Sequence, residues 1–340
     1  MAVTTDRQYR QTLTAAIAYR QKEIQDLVFN SNPVSAILRE KGLFKPFTGP
    51  EIRVPLTIDK LDGQWFTGYD ALANNPKEIL NTAYFTPKNL AVGFSLSGTE
   101  LRGNEGRTQQ IDLYSAYLDN AETSLADEFE TALHGDGTTG GGRQMVGLGG
   151  ALPIIPTQGT YGGISRANYS IWRPSKFDAS SDFTALGATG WDSTTARPIL
   201  ENVVARRSKG RRYASMAIAD LNAYQALSSS MVAHQRIQES GGKPAVLGFR
   251  GLEVATPVGN VTVYCATGVS SVMPSNTIYG LDPEGIEVRY MSDYNIVPLF
   301  PGEGAQPVNQ DAYAQYILWV GELVLKNPRF SWRLVATPTP

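Results

Sequence analysis

The stretch whose residue types and spacing come nearest to cofactor chemistry is Gly135-Asp136-Gly137-Thr138-Thr139-Gly140, a GxGxxG run in a glycine-rich segment that continues to Gly150. In a dinucleotide site that motif follows a strand and opens a helix, because the helix N-terminus holds the pyrophosphate. Here it follows the longest helical pattern of the chain and opens into loop, so it reads as a flexible connector. No GxxxxGK followed by Ser or Thr frames a P-loop, and no GxSxG frames a nucleophile. Two histidines, His134 and His234, and one cysteine, Cys265, give no set with zinc spacing. A serine triad needs a histidine base within reach. His234 lies in the polar run Ser230-Met231-Val232-Ala233-His234-Gln235-Arg236 and reads as a surface side chain. Asp127, Glu128 and Glu130 read as the solvated face of a helix, and Cys265 as a small core residue on a strand. The densest charge, Arg206-Arg207-Ser208-Lys209-Gly210-Arg211-Arg212, reads as a solvated helix end, with contact to an acidic neighbour or, lacking interleaved aromatics, to nucleic acid as the alternatives. The expectation is therefore a non-enzyme with no catalytic residue, cofactor or metal. The one enzymatic alternative is an oligomer using the Gly135–Gly150 run as a phosphate loop.

Composition narrows the class. The chain has 340 residues, 42% hydrophobic, enough for a sizeable core. Only 18% are charged, which suggests a surface largely covered by other copies of itself. The net charge of −2 excludes a chain that is basic throughout and binds polyanions everywhere. A single cysteine excludes intrachain disulfides. No basic and apolar leader and no apolar run of about 18 residues is visible, so the expectation is synthesis in the cytoplasm with no membrane partner.

The elements follow from periodicity. Residues 6–29 read as an amphipathic helix, and Asn32-Pro33 starts a second one that ends at Gly42. Through Lys45 this arm carries seven basic side chains, among them Arg7, Arg10, Arg20 and Lys22, against four acidic ones. Residues 51–59 alternate, with Ile52, Val54, Leu56 and Ile58 on one face; Pro55 makes this an edge strand. Residues 90–97 alternate again, with Leu90, Val92, Phe94 and Leu96 on one face. Pairing the two gives a long ribbon whose tip lies near 62–80. Trp65, Phe66 and Tyr69 at that tip are the residues expected to meet a partner. Residues 108–133 form a helix of about 39 Å at 1.5 Å per residue. Residues 152–192 read mostly as loop. A helix at 197–208, a buried strand at 213–219, a helix at 220–228 and strands near 249–256, 260–266, 277–281 and 285–291 make a compact α/β block. Strands at 313–325 and 330–336 close the chain.

Three stretches in this order resemble the major capsid protein of tailed bacteriophages. They are Gly150–Ile155 with Gly159–Arg166 and Trp172, then Gly210–Leu227, then Trp319–Arg329, the last similar to a "GxLVxxNPR" phrase near the capsid C-terminus. The resemblance implies an α+β chain of the Hong Kong 97-type fold. Its parts would be an N-terminal arm (1–48), an extended loop or long β-hairpin (49–103), a spine helix and peripheral domain (104–195), an axial domain (196–310) and a return to the peripheral domain (311–340). It implies a virion protein that assembles in the host cytoplasm, its partners being itself in hexamers and pentamers, a separate scaffolding protein, a portal, a decoration protein, and packaged DNA held weakly and without sequence preference. The basic arm would face inward. Some members crosslink an arm lysine to a neighbour's asparagine; Lys60, Lys77, Lys88 and Asn327 are the corresponding residue types, and nothing in the sequence singles out a pair. The alternative within the same fold is an encapsulin-like nanocompartment shell.

Overall fold

Helix α1 (Pro33–Glu40) begins on the proline that the sequence puts in its first turn. The computed structural model describes residues 24–25, 27, 29, 33–57, 59, 61, 63–72, 76, 79–99, 107–232, 251–266, 272–299 and 311–336. After α1 come strands β1 (Phe44–Phe47), β2 (Ile52–Thr57), β3 (Leu80–Phe85) and β4 (Lys88–Ser97). Helix α2 (Arg107–His134) follows; its 28 residues make it about 42 Å long. Short strands β5 (Thr160–Tyr161), β6 (Ile164–Ser165) and β7 (Ser175–Asp178) lead to helix α3 (Ala196–Arg206), strand β8 (Met216–Ala219) and helix α4 (Leu221–Val232). The chain ends in β9 (Gly251–Ala255), β10 (Asn260–Cys265), β11 (Thr277–Leu281), β12 (Ile286–Pro298), β13 (Ala312–Leu325) and β14 (Trp332–Val335).

Two larger sheets organise these elements. One has the order β1-β12-β13-β4, and the other the order β7-β14-β11-β8-β10-β9. The six-stranded sheet is a wall between two cores. Met216, Ile218 and Tyr279 face the first core, while Ala217, Ala219 and Ile278 face the second. A strand buried on both faces has no use for polar alternation, which is why β8 reads Met-Ala-Ile-Ala without a break. The first core joins this wall to α1, α2 and the four-stranded sheet. Phe129 of α2 sits at its centre, with the rings of Phe29 and Trp319 edge-on at 5.3 and 5.0 Å. The second core packs α3 and α4 on the other face through Trp191, Ile199, Val203, Leu227 and Trp332. Trp191 Nε1 donates to the carbonyl of Ala223 at 2.9 Å, tying the loop before α3 to α4.

Several expectations change. Residues 52–57 do not pair with 90–97. They pair with β3, Ile52 opposite Phe85 and Thr57 opposite Leu80. β4 pairs along its length with β13 instead. Only Thr86-Pro87 separates β3 from β4; proline has no N–H to give a ladder, so the chain leaves one sheet and enters the next there. The stretch 152–192 also hides a strand, β7, which runs parallel to β14. The glycine run is no flexible connector. Gly147 lies so close to the end of α2 that a Cβ there would be 2.2 Å from the Ala132 carbonyl oxygen. The acidic face of α2 is also not all solvated: Glu122 and Glu130 are buried, and Glu130 accepts from His134 Nε2 at 3.1 Å. The basic run after α3 is packed rather than free, with Arg206 over Phe183, Arg207 over Phe177 and Arg212 over Phe330. Arg212 also meets Asp282 and Glu284 of its own chain.

Gly280 on β11 lets the indole of Trp332 lie flat against the backbone; a Cβ there would be 2.0 Å from the ring. Gly280→Ala is therefore expected to cost about 1–3 kcal/mol through overpacking. Gly63→Ala, where a Cβ meets nothing within 4 Å, should stay within about 0.5 kcal/mol. Urea unfolding of the two variants checks the difference.

Candidate assembly surface

The β2–β3 hairpin is fixed at its base and bare at its tip. At the base Ile52, Val54, Ala83 and Phe85 are buried. Phe85 meets the ring of Tyr161 edge-on at 5.0 Å, and the Tyr84 amide donates to the Gly162 carbonyl at 3.0 Å. Tyr161 is itself held on β13. Its hydroxyl accepts from the Leu325 amide at 3.0 Å and donates to the Leu323 carbonyl. Burial pushes that hydroxyl's pKa well up, so it stays a neutral donor. Trp172 Nε1 donates to the Tyr161 carbonyl at 2.9 Å and closes the anchor.

At the tip, Thr67–Asp70 form a turn. The Asp70 carboxylate accepts from the Thr67 amide at 2.9 Å, and the Asp70 amide donates back to the Thr67 carbonyl. Around it Trp65 and Tyr69 are fully exposed, at 103% and 106%, and Phe66 is 63% exposed. The three aromatics named from sequence thus lie in and just before one turn, each exposed to solvent. Leu61 and Leu72 in the same segment are exposed as well; single leucines in a polar stretch carry no periodicity, so the sequence does not mark them. Fully burying one such side chain is worth about 1.5–3 kcal/mol, and contiguous exposed apolar patches mark interaction sites. The basic-arm residues Arg7, Arg10, Arg20 and Lys22 lie outside the described residues, as do His234, Lys60 and Lys77.

Several groups of the types used in catalysis make structural contacts among the described residues. His134 is buried, bonded to Glu130 and stacked on Tyr279 at 6.5 Å between centroids. The thiol of Cys265 is pushed up to about 11, by burial and then by the charge of Asp220, so it is a poor nucleophile. Lys88 Nζ donates to the Gly142 carbonyl at 2.7 Å, and Asn327 is half-buried before the short turn Pro328–Phe330. Glu287 is a buried hub that joins three strand ends: Lys45 lies at 2.5 Å, Lys326 at 2.6 Å and Arg289 at 2.5 Å. Burial alone would raise its pKa; the hydrogen bonds from Lys326 and Lys45 and the Arg289 charge outweigh burial and hold it below the usual range. Among the described residues no group of three or more His, Cys, Asp or Glu is placed to hold a metal ion, and no helix is long and apolar enough to cross a membrane.

No family model and no curated protein matches the chain. Solved structures do. The capsid chain of cyanophage A-1(L) matches with a TM-score of 0.62 at 15% identity, over 88% of this chain and 93% of that one. The capsid of the native GTA particle matches with a TM-score of 0.53 at 12% identity, over 89% and 90%. The capsid of the Myoviridae phage XM1 matches with a TM-score of 0.51 at 13% identity, over 85% and 86%. At these identities the likeness is one of fold: the chain has the α+β Hong Kong 97-type capsid fold.

Glu322 on β13 is the one carboxyl in this region pushed far from its range. Burial raises it to about 8, against a hydrogen bond from the Val146 amide at 2.7 Å and the charge of Lys88. The folded chain then keeps a proton that the unfolded chain releases above pH 4.5. Stability should fall as pH rises from 4.5 to 8 and level off above. The slope within that window is at most about 1.4 kcal/mol for each step of one in pH. Glu322→Gln should remove that slope in urea unfolding measured across the same pH range.

Proposed function

We propose that this chain is the structural subunit of an icosahedral phage head. It assembles with copies of itself into hexamers and pentamers that enclose the double-stranded DNA genome. The observation that carries the reading is the hairpin: its base is locked to β13 through Tyr161, and its tip presents Trp65, Phe66 and Tyr69 to solvent. A monomer gains nothing from an anchored arm with an apolar end. A shell subunit does, because a second copy can cover the tip, and the same contact repeats under the symmetry of a closed particle. The three capsid structures of the same fold support this reading. Each contact can be weak, since many act together. In the terms of the fold, residues 49–103 are the extended loop, 104–195 the spine helix and peripheral domain, 196–310 the axial domain, 311–340 the return segment and 1–48 the arm. A separate scaffolding protein, a portal and a decoration protein are its further partners, and the host cytoplasm its place of assembly.

Electron microscopy of the chain, expressed alone and beside its genomic neighbours, tests the proposal. Closed isometric particles or rings of five and six are expected; a discrete dimer or tetramer under both conditions overturns it. The variant Trp65→Ser/Phe66→Ser/Tyr69→Ser should keep the circular dichroism and melting temperature of the parent, because the tip adds nothing to either core. The same variant should sediment as unassembled subunits.

The basic arm is proposed to touch DNA through phosphates alone. Neutralising about four phosphates gives a log–log salt slope no steeper than about −4. Changing Arg7, Arg10, Arg20 and Lys22 to Gln should flatten that slope in fluorescence-anisotropy titrations of the full chain with duplex DNA.

A further inference from the structure

A cleft of about 620 Å³ opens where the end of α3, the start of β7 and the short turns Ser170–Trp172 and Pro328–Phe330 converge. Four cationic side chains line it: Arg173, Lys176, Arg207 and Arg329. Asp59, at the edge of the hairpin, is the one carboxylate in its lining. The cations are not equivalent. Lys176 has a carboxylate partner, Asp178, at 3.4 Å. The Arg173 guanidinium donates to the carbonyls of Arg166 and Ala167, which fixes its position, and it has no carboxylate partner among the described residues. Arg207 and Arg329 have no carboxylate partner among the described residues, and they face each other closely enough for repulsion to register. Burial and the charge of Arg329 both push Arg207 below its ordinary pKa. A guanidinium does not lose its proton in a protein. The push reflects first the loss of water around a buried charge and then repulsion from Arg329, and an anion placed between the two groups would offset both.

Beneath the cleft the wall holds two further donors that solvent does not reach. Arg207 Nε and Ser175 Oγ are both out of solvent and have no hydrogen-bond acceptor among the described residues. Leaving such a group unpaired costs about 1–3 kcal/mol, and more when it is charged. The framework that holds them is stiff. The Ser175 amide donates to the Ser331 carbonyl at 3.3 Å. The Arg207 guanidinium lies over the Phe177 ring at 5.6 Å.

We propose that this cleft binds a phosphate group, held between the guanidinium forks of Arg207 and Arg329, with Arg173 and Lys176 adding to the positive charge around it. Phosphate suits the site better than a carboxylate. The cations come from three separate chain segments, around residues 173–176, 207 and 329, which suits a tetrahedral oxyanion with acceptors in several directions, whereas a carboxylate accepts in one plane. Arginine forks are the groups that recognise phosphate bidentately. The volume exceeds that of one carboxylate side chain and falls in the range of small-molecule sites. The ligand is free inorganic phosphate or pyrophosphate, or a phosphodiester of nucleic acid; the chemistry of the cleft is shared by both sources. The proposal stands on the cleft alone and does not depend on assembly.

Isothermal titration calorimetry on the full chain at low salt tests it, with inorganic pyrophosphate in one arm and a single-stranded DNA dinucleotide in the other. Binding is expected in at least one arm. It should weaken by at least about tenfold in Arg207→Gln and in Arg329→Gln, the loss expected when a charge-assisted bidentate contact is removed. Arg329→Lys should recover only part of it, because a lysine keeps the charge and loses the fork. Arg211→Gln, a neighbouring basic residue outside the cleft, should bind as the parent does. A melt in phosphate-free buffer checks that each variant folds, and there Arg329→Gln should melt no lower than the parent, since it removes a repulsion. Pyrophosphate binding alone assigns a free-phosphate site, and dinucleotide binding alone a nucleic-acid site. The proposal is overturned if neither ligand binds, if binding is the same in both glutamine variants as in the parent, or if an oligo-aspartate peptide binds where both phosphate ligands fail.

Discussion

The anchor formed by Tyr161 is the interaction on which the arrangement depends. This one residue meets Phe85 of the hairpin edge-on, exchanges two hydrogen bonds with the backbone of β13 through its hydroxyl, and receives the Trp172 indole N–H on its backbone carbonyl. Without it the β2–β3 pair would be an isolated two-stranded ribbon, which is marginal in water. With it the ribbon becomes a rigid lever on the first core. The exposed aromatic tip is thereby carried on an anchored base, as a repeating interface requires.

The six-stranded sheet performs the matching task on the other side. Buried on both faces, it makes the two cores one mechanical unit. Its strands come from distant parts of the chain, 175–178, 216–219, 251–281 and 332–335. The close fit of Trp332 on Gly280 and the clamp of Glu287 on Lys45, Lys326 and Arg289 hold the chain's ends against its middle. Polar groups that might suggest chemistry, His134 with Glu130 and the carboxyl of Glu322, are absorbed into this joint.

Much of this is legible in the sequence, and the parts that are not share a cause. Periodicity marks α2, α3, α4 and the strands from β8 to β14, because each carries a pattern within its own length. The tip aromatics can be named because three large rings in a polar stretch have no core to enter. The partner of β2 cannot be read. Leu90, Val92, Phe94 and Leu96 alternate as cleanly as Ile52, Val54 and Leu56, and alternation says which face is buried without saying against which strand. β3, with Asn81 and Thr82 in its first half, carries too weak a pattern to compete. Glu122 and Glu130 mislead for the opposite reason: an acidic residue on a helix is ordinarily solvated, and only the tertiary structure, with His134 against Glu130, reveals them as buried. The cationic cleft is invisible in the sequence because Arg173, Arg207 and Arg329 are far apart in the chain and meet only through β7 and the turn before β14.

Whether a second copy covers the hairpin tip has a direct optical test. Of the five tryptophans, Trp172, Trp191, Trp319 and Trp332 are buried, and Trp65 is fully exposed. Acrylamide quenching of tryptophan fluorescence therefore reports on Trp65, and Trp65→Phe identifies its share of the signal. In unassembled subunits a quenchable component is expected that vanishes in Trp65→Phe. In assembled particles of the parent chain that component should be lost. If Trp65 stays as quenchable in the particle as in the free subunit, the tip is not the contact between copies.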